Sequence, residues 1–332
     1  MKNSSYEANI VPTQPIQIAQ TIRDGQEIVK GADEAPSTSA ASATPTGNRW
    51  LILLSLLALY LVWGATYLAM RIALEGFPPF LMAAVRFLLA GGILYIVMRW
   101  RGTAVPTRKE WIGASVIGIL LLAGGNAGVA FAEQWVATGV AAIGIAAVPL
   151  WTAFFGGLWG RWPTRLEWLG LIVGFGGIIL LNIGNGVWLN PLGAIALLLA
   201  PISWALGSAW SRHIALPQGL MSSAAQMLVG GAVLLVVSLS LREHAPNLSV
   251  VPALWAIAFL VVFGSLIAFS AYGYVLRHLR PALATSYAYV NPMVAVGLGV
   301  LLAGEHLTLL EIVAILITLS GVVLVSLGRE RH

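Results

Sequence analysis

Two tryptophans near the middle of long apolar runs, Trp63 and Trp204, are the side chains whose chemistry needs explaining first. Polar or aromatic groups occur at similar depth in other runs, namely Tyr67, Asn126, Tyr287, Tyr289 and Asn291. Aromatic walls with a few polar groups suit a binding cavity for a small amphipathic molecule. Packing between helices, with the polar atoms bonded internally, explains any single one of these residues equally well. A cavity explains the set better.

Charged side chains are rare inside the apolar runs, where each costs about 2.5–3.5 kcal/mol at the centre of a bilayer. Arg86 is the most interior cation, and it has either a structural role or a role in gating or substrate contact. Glu133 and Glu305 lie near the ends of their runs. They are the carboxylates that could couple proton movement, although a solvated loop charge explains each of them better.

The composition requires a membrane environment for these residues. The chain of 332 residues is 58% hydrophobic and 9% charged, and its mean hydropathy is +0.86, whereas soluble domains carry about 25% charged residues. The chain has no cysteine and no P-loop, H-E-x-x-H or G-x-S-x-G motif. We therefore expect no enzyme activity, no metal, no cofactor, and no ATP or nucleic-acid partner. The expected partners are the lipid bilayer and a small-molecule substrate.

The apolar residues fall into runs of about 20, the length that crosses a hydrocarbon core of about 30 Å as a helix. Ten such runs predict an all-α membrane protein with ten spans. Their predicted bounds are 50–74, 80–98, 111–132, 138–159, 167–185, 192–213, 221–241, 253–276, 282–302 and 309–327. The polar segment 1–48 has no periodic apolar face, which predicts a disordered tail.

The positive charges of the short loops predict the orientation of the spans. With the N-terminus in the cytoplasm, eleven Lys and Arg residues fall on the cytoplasmic side: Arg99, Arg101, Arg108, Lys109, Arg161, Arg165, Arg212, Arg277, Arg280, Arg329 and Arg331. The outer loops receive only Arg242. This bias is typical of plasma-membrane proteins, and it predicts that both termini are cytoplasmic.

The chain also repeats itself. Trp63 and Arg71 match Trp204 and Arg212, and a run containing Pro149 matches a run containing Pro292. Each copy holds five predicted spans, an odd number, so the second copy enters the membrane from the opposite side. The result is a predicted 5+5 inverted repeat, with copies at 49–187 and 188–328 and a cytoplasmic end at 329–332. Because a proline removes a backbone hydrogen bond and bends its helix, the matched prolines are predicted hinges.

Short motifs predict local structure. The spacing T-x-x-E at the start of three runs predicts capping boxes for Thr107 and Glu110, Thr164 and Glu167, and Thr308 and Glu311. The pair Gly170 and Gly174 predicts a close approach between two helices.

Several motifs together resemble the EamA branch of the drug/metabolite transporter superfamily. They are W-G-A-T-Y at 63–67, A-V-R-F at 84–87, L-A-T-S-Y-A-Y-V-N-P at 283–292 and G-E-H-L-T at 304–308. The resemblance implies a central cavity lined chiefly by spans 1, 3, 4, 6, 8 and 9. It also equates Arg86 with the family's Arg-Phe motif and Glu305 with its Gly-Glu motif. The first copy has Arg161 in place of Glu305, so that motif is present in one half only.

The resemblance further implies a multi-pass transporter of the bacterial plasma membrane that exports small metabolites, amino acids or drugs. Together with the inverted repeat, it predicts secondary transport, without ATP, by alternating access. A non-transporting membrane sensor or scaffold is the alternative. The scarcity of acidic residues in the middle of the runs favours facilitated flux over proton coupling.

Overall fold

Helices follow the predicted apolar runs in the computed structural model, which describes residues 48–158, 160, 162, 164–184, 190–279, 284–285, 287–303 and 308–328. The helices are α1 Arg49–Ala73, α2 Pro79–Trp100, α3 Arg108–Ala132, α4 Thr138–Leu158, α5 Arg165–Gly184, α6 Pro191–Trp210, α7 Leu220–Ser240, α8 Val251–His278, α9 Tyr287–Ala303 and α10 Leu309–Gly328. The predicted tail, Glu305 and the C-terminal residues lie outside the described residues, apart from Asn48.

Seven helices of the described residues, α1 to α4 and α6 to α8, are long and apolar enough to cross a membrane. Helices α5, α9 and α10 occupy the places of the other three predicted spans. That these three also cross the membrane, and that both termini are cytoplasmic, stay predictions.

Two of the predicted capping boxes are confirmed. At the start of α3, the Thr107 amide donates to Glu110 at 2.7 Å and the Glu110 amide donates to the Thr107 hydroxyl at 3.4 Å. At the start of α5, Thr164 and Glu167 make the same pair of bonds at 2.6 and 3.3 Å. The Glu311 side chain lies outside the described part of the chain, so the third box stays a prediction.

The two halves pack through equivalent helices. Helix α2 lies along α7, and α5 lies along α10. Two further contacts come in matched sets: α1 packs on α9 as α6 packs on α4, and α3 packs on α6 as α8 packs on α1. Every one of these contacts therefore has a counterpart with the halves exchanged.

The paired helices run antiparallel and approach closely at glycines. Gly91 of α2 lies against Met227 of α7, and Gly231 of α7 lies against Leu88 of α2. In the other pair, Gly321 of α10 packs on the backbone of Gly170 and Gly174 of α5, which confirms the predicted close approach. An antiparallel relation between equivalent helices is what an inverted repeat requires.

Three helices widen into π-helical turns near their middle, which the sequence did not predict. The widened segments are Leu59–Trp63 in α1, Ile119–Asn126 in α3 and Leu260–Ile267 in α8. The widened segments of α3 and α8 begin 141 residues apart. This is also the spacing between the repeat partners Trp63 and Trp204, so the two segments are equivalent in the two halves. Such turns occur frequently at functional sites because they leave backbone carbonyls free to bind other groups.

The two predicted hinge prolines differ in their local structure. Helix α4 is interrupted at Ala146 and Ala147, and Pro149 is the second residue of the segment that follows. Pro292 is buried inside α9, which continues through it. A further proline, Pro201, lies within α6. Whether Pro149 and Pro292 act as hinges stays a prediction.

Candidate functional site

Four aromatic side chains meet where the halves face each other, and we call Trp63, Trp204, Tyr272 and Tyr287 the aromatic cluster. The ring centre of Trp63 lies 5.5 Å from that of Trp204, 5.2 Å from Tyr272 and 4.8 Å from Tyr287. Helices α1, α6, α8 and α9 each supply one ring, so both halves contribute. The sequence predicted three members and missed Tyr272, whose only signal was a tyrosine in an apolar run.

Hydrogen bonds fix the rings of the cluster. The Trp63 indole donates to the carbonyl of Gly264, in the widened segment of α8, at 3.0 Å. The Trp204 indole donates to the Tyr272 hydroxyl at 3.3 Å, and that hydroxyl also bonds to Ser208 at 2.6 Å. The polar atoms of Trp63, Trp204 and Tyr272 are thus bonded within the protein, whereas the buried Tyr287 hydroxyl has no hydrogen-bond partner among the described residues. The cluster therefore offers mainly aromatic surface to a neighbour.

A cavity of about 580 Å³ leads from one end of the molecule to this cluster. Its described lining comes from α3, α6, α7, α8 and the α6–α7 connection: Ile117, Leu121, Ser211, Arg212, Ile214, Leu216, Pro217, Gln218, Gly219, Ser222, Ser223, Gln226, Phe269, Tyr272, Gly273, Leu276 and Arg277. Arg212, Gln218 and Arg277 are exposed at its mouth, whereas Tyr272 and Phe269 are buried at its inner limit. We call the end of the molecule that carries this mouth the open end.

The lining differs from the predicted one. Trp63, Tyr67, Asn126, Trp204, Tyr287 and Asn291 are described residues outside the lining of this cavity. Three of them, Trp63, Trp204 and Tyr287, pack directly behind Tyr272, which lies at the inner limit of the cavity. The sequence analysis missed the polar lining from α7, because single serines and glutamines in an apolar helix give no pattern.

Arg86 lies on the far side of the cluster from the cavity, enclosed between three helices. Its side chain is 2% exposed. The guanidinium donates to the Ser265 hydroxyl at 2.7 Å and to the Asn126 side chain at 3.3 Å, both in widened segments, and stacks 4.9 Å from the Phe87 ring centre. Arg86 therefore ties α2 to α3 and α8 at the level where those helices are irregular.

Asn291 binds the widened segment of α1. With its amide nitrogen turned toward them, it donates to the carbonyls of Leu59, Tyr60 and Tyr287 at 3.1, 3.2 and 3.0 Å. These bonds hold α9 against the π-helical turn of α1. Asn291 and Asn126 thus both bind within the protein, although a role toward substrate stays a prediction for each.

Glu133 is fully buried at the end of α3. The expectation of a solvated loop charge is therefore wrong for this residue. Its carboxylate lies within electrostatic range of Arg86 and of the buried Tyr67. The Tyr289 side chain and Glu305 lie outside the described part of the chain, so their roles stay predictions.

Matched arginines tie the first helix of each half to the third. Arg71 of α1 donates to the carbonyls of Glu133 and Val136 at 2.8 and 3.3 Å. Arg212, two residues after the end of α6, donates to the carbonyls of Leu276 and Leu279, both at 2.8 Å. A cation at the C-terminal end of a helix is favourable because the free carbonyls there carry partial negative charge. These contacts make each half internally tight.

The two halves are joined at the end opposite the cavity mouth, which we call the joined end. There the backbone amides of Phe80 and Leu81, in the first turn of α2, donate to the Glu243 carboxylate at 3.1 and 2.8 Å. The Asn247 amide donates to the Gly76 carbonyl at 2.8 Å. Glu243 and Asn247 belong to the α7–α8 connection, so the second half holds the first.

The fold and the site define a polytopic membrane transporter with an internal twofold repeat. The EamA-like transporter family model matches residues 49–183 and again residues 191–327. The chain therefore belongs to the EamA-like transporter family, which confirms the resemblance of its motifs, and it is a multi-pass protein of the bacterial plasma membrane.

Individual relatives agree with this assignment. The uncharacterized inner membrane transporter YedA of Escherichia coli (strain K12) is 46% identical over 276 residues, covering 83% of this chain and 90% of that protein. Protein PecM of Dickeya dadantii is 28% identical over 269 residues, covering 80% and 89%. A solved structure with a TM-score of 0.65 and 20% identity covers 85% of this chain and 99% of its own, which shows a shared fold.

Proposed function

We propose that this protein is a secondary transporter that carries a small molecule across the membrane by alternating access. The observation that carries the proposal is the cavity of about 580 Å³, open at one end and ending at an aromatic cluster supplied by both halves. A solute that enters from the open end would rest against Tyr272 and Phe269. Sites of this kind, concave and mostly apolar with a few polar groups, are typical of small-molecule binding.

The contacts at the joined end support the alternating part of the proposal. Glu243 and Asn247 hold the first turn of α2 and the α1–α2 turn while the opposite end stands open. The arginine ties stay within each half, because Arg71 links α1 to the end of α3 and Arg212 links α6 to the end of α8. Motion between two tight halves would open the joined end as it closes the other, which is how inverted-repeat transporters work.

The loop charges predict which side of the membrane the open end faces. The open end carries Arg212 and Arg277, which the positive-inside pattern predicts to be cytoplasmic, so the cavity would accept solute from the cytoplasm in this state. Export of metabolites, amino acids or drugs, the direction that the family resemblance implies, is consistent with this opening. Without a P-loop, the driving force is the solute's own gradient. Coupling to protons through Glu133 or Glu305 is the less favoured form of this mechanism.

Solute counterflow into proteoliposomes tests the proposal. The purified full-length protein is expected to accumulate at least one compound from a broad metabolite panel above protein-free vesicles. Trp63→Ala and Trp204→Ala are expected to lower that rate, because they remove two rings that pack behind Tyr272 at the inner limit of the cavity. Trp255→Ala is the matched control, since Trp255 is a highly exposed tryptophan of α8.

Two results would count against the proposal in different ways. Failure to move any compound of the panel would favour a non-transporting sensor or scaffold. Transport by both cavity variants at the rate of the Trp255→Ala control would retain the transporter and reject the aromatic cluster as part of the path.

A further inference from the structure

We propose that the cavity selects solutes with a carboxylate group attached to an apolar or aromatic body, and that the carboxylate binds at the N-terminal turn of α7. The proposal rests on the proposed function, because it takes the cavity as the substrate site. The proposal goes further than transport because it assigns the charge of the substrate and the residues that bind the charged group.

The first observation is the equivalent turn in the other half. The N-terminal turn of α2 binds a carboxylate, that of Glu243, through the backbone amides of Phe80 and Leu81. The internal repeat matches Leu81 and Met82 to Leu220 and Met221, the first residues of α7. Since free amides and the helix dipole favour an anion at a helix N-terminus, the turn of α7 has the same capacity.

The second observation is that this turn of α7 is open to the cavity. Among the described residues, no side chain caps it through a hydrogen bond, and its flanking residue Gly219 has a φ of 58°. Gly219, Ser222 and Ser223 all line the cavity. Within the described residues, no carboxylate takes the place that Glu243 takes at α2.

The third observation is a serine hydroxyl that borders the cavity and has no hydrogen-bond partner in the described part of the chain. Ser223 is 2% exposed and lines the cavity. The neighbouring Ser222 hydroxyl accepts a bond from Gln226 at 2.9 Å, but the Ser223 hydroxyl has no hydrogen bond among the described residues. Since a serine hydroxyl can donate one hydrogen bond, a ligand oxygen in the cavity would be an acceptor for it.

The charges around the turn have one sign. Arg277 of α8 donates to the Gly219 carbonyl at 3.1 Å, which holds its guanidinium beside the start of α7. The described lining of the cavity includes Arg212 and Arg277 but no Asp or Glu. An ammonium group would find only neutral acceptors there, so a carboxylate is favoured over both a cation and a zwitterion.

The membrane-orientation rule alone also explains an arginine at a cytoplasmic helix end. Arg108 follows the same rule, but it is exposed at the start of α3 and does not line the cavity. The pair Arg277→Gln and Arg108→Gln therefore separates a local binding role from a general effect of charge.

The test is isothermal titration of the full-length protein in detergent with three compounds of one skeleton: 3-phenylpropionate, 3-phenylpropionamide and 3-phenylpropylamine. We expect the carboxylate to bind at least about tenfold more tightly than the amide or the amine, the size of effect given by bonds to a charged group. Arg277→Gln is expected to lower carboxylate affinity about tenfold and to leave amide affinity unchanged, which also shows that the variant is folded. Arg277→Lys is expected to retain most of the preference, Ser223→Ala to lose a few-fold, and Arg108→Gln to behave as wild type.

The proposal is overturned if the amine or the amide binds as tightly as the carboxylate, if none of the three compounds binds at millimolar concentration, or if Arg277→Gln and Arg108→Gln have equal effects. Because binding is measured without a membrane, these outcomes are independent of the counterflow experiment. Transport of compounds without any carboxylate preference would sustain the transporter and reject the anion site.

Discussion

The N-terminal turns of α2 and α7 occupy equivalent places in the two halves, but they have different partners. The turn of α2 binds Glu243 from the α7–α8 connection at the joined end. The turn of α7 borders the cavity at the open end, and no side chain in the described part of the chain caps it. The same helix end, able to accept an anion, is therefore present twice, once filled by the chain itself and once facing solvent.

The difference arises from a few residues in the connections rather than from the helices. The connection from α2 to α3, residues 101–107, contains no Asp or Glu that could reach α7, whereas the equivalent connection of the second half supplies Glu243. The helix interiors differ as well. Helix α2 carries the charged Arg86 bound to two neighbouring helices, while α7 carries Gln226, bound to Ser222 on its own helix. The two halves thus share one arrangement of helices, but the start of α2 is closed by Glu243 whereas the start of α7 is open to the cavity.

Arg86→Ala should have the largest effect, because it leaves Ser265 and Asn126 without this partner and removes a cation within electrostatic range of Glu133. We expect a loss of roughly 3 kcal/mol in the free energy of unfolding, measured by thermal or denaturant unfolding in detergent. Gln226→Ala, in the accessible half, should cost roughly 1 kcal/mol, since it removes one neutral hydrogen bond. Equal losses for both variants would mean that the interiors of the halves do not differ as described; Arg108→Ala is the exposed control.

Glu243→Ala should unseal the joined end by removing both bonds to α2. The chain has no cysteine, so the near-isosteric Thr66→Cys, buried one turn from Trp63, gives a single labelling site on that side of the cluster. We expect its reaction rate with a membrane-impermeant maleimide to rise about tenfold in the Glu243→Ala background, as the loss of charge-assisted bonds shifts the population. Glu243→Gln, which keeps one acceptor oxygen, should give an intermediate rate, and an unchanged rate in both would show that Glu243 does not hold this end.

Gln218→Glu should make the accessible turn resemble the filled one. Gln218 lines the cavity immediately before Gly219, and the change is nearly isosteric. The new carboxylate should compete for the start of α7 and lower 3-phenylpropionate affinity about tenfold in the titration described above. Gln134→Glu, at an exposed position near the opposite end, is the matched control; equal affinities in the two variants would contradict competition at α7.

Trp63→Phe and Trp204→Phe should have the smallest effects on the free energy of unfolding, and the two effects should differ. Each removes an indole N–H but keeps an aromatic ring. The Trp63 bond holds a free carbonyl in the widened part of α8, so its loss should cost about 1 kcal/mol of stability. The Trp204 bond is longer, and Tyr272 keeps its bond to Ser208, so that variant should cost less. Unfolding in detergent compares the two, and a larger loss for Trp204→Phe would reverse the assignment.

Much of the fold was accessible to sequence reasoning because it depends on local or repeated signals. Apolar runs of membrane length gave the helices, T-x-x-E gave the caps of α3 and α5, and Gly170 and Gly174 gave the contact between α5 and α10. The repeat joined Trp63 to Trp204, which the structure places 5.5 Å apart.

The rest depends on packing that no local pattern encodes. The burial of Glu133 follows from the way α1, α2 and α3 meet at the joined end, so its position after an apolar run looked like a loop. Glu243 was indistinguishable from a solvated charge until the chain brought it to α2, 162 residues away from Leu81. Ser223 became a candidate ligand contact only once the structure showed that it lines the cavity and that no described carboxylate binds the start of α7.

The π-helical turns of α1, α3 and α8 bear on how these helices tolerate changes in length. A π turn holds about one residue more than an α turn, and each residue advances an α-helix by about 1.5 Å. Removing one residue from such a turn allows it to tighten into regular helix, so both flanking segments keep their facing neighbours. The same deletion in the regular helix α2 would rotate everything beyond it by about 100°. The widened segments of α1, α3 and α8 are therefore the places where a single-residue deletion should leave the packing of the flanking helical segments intact.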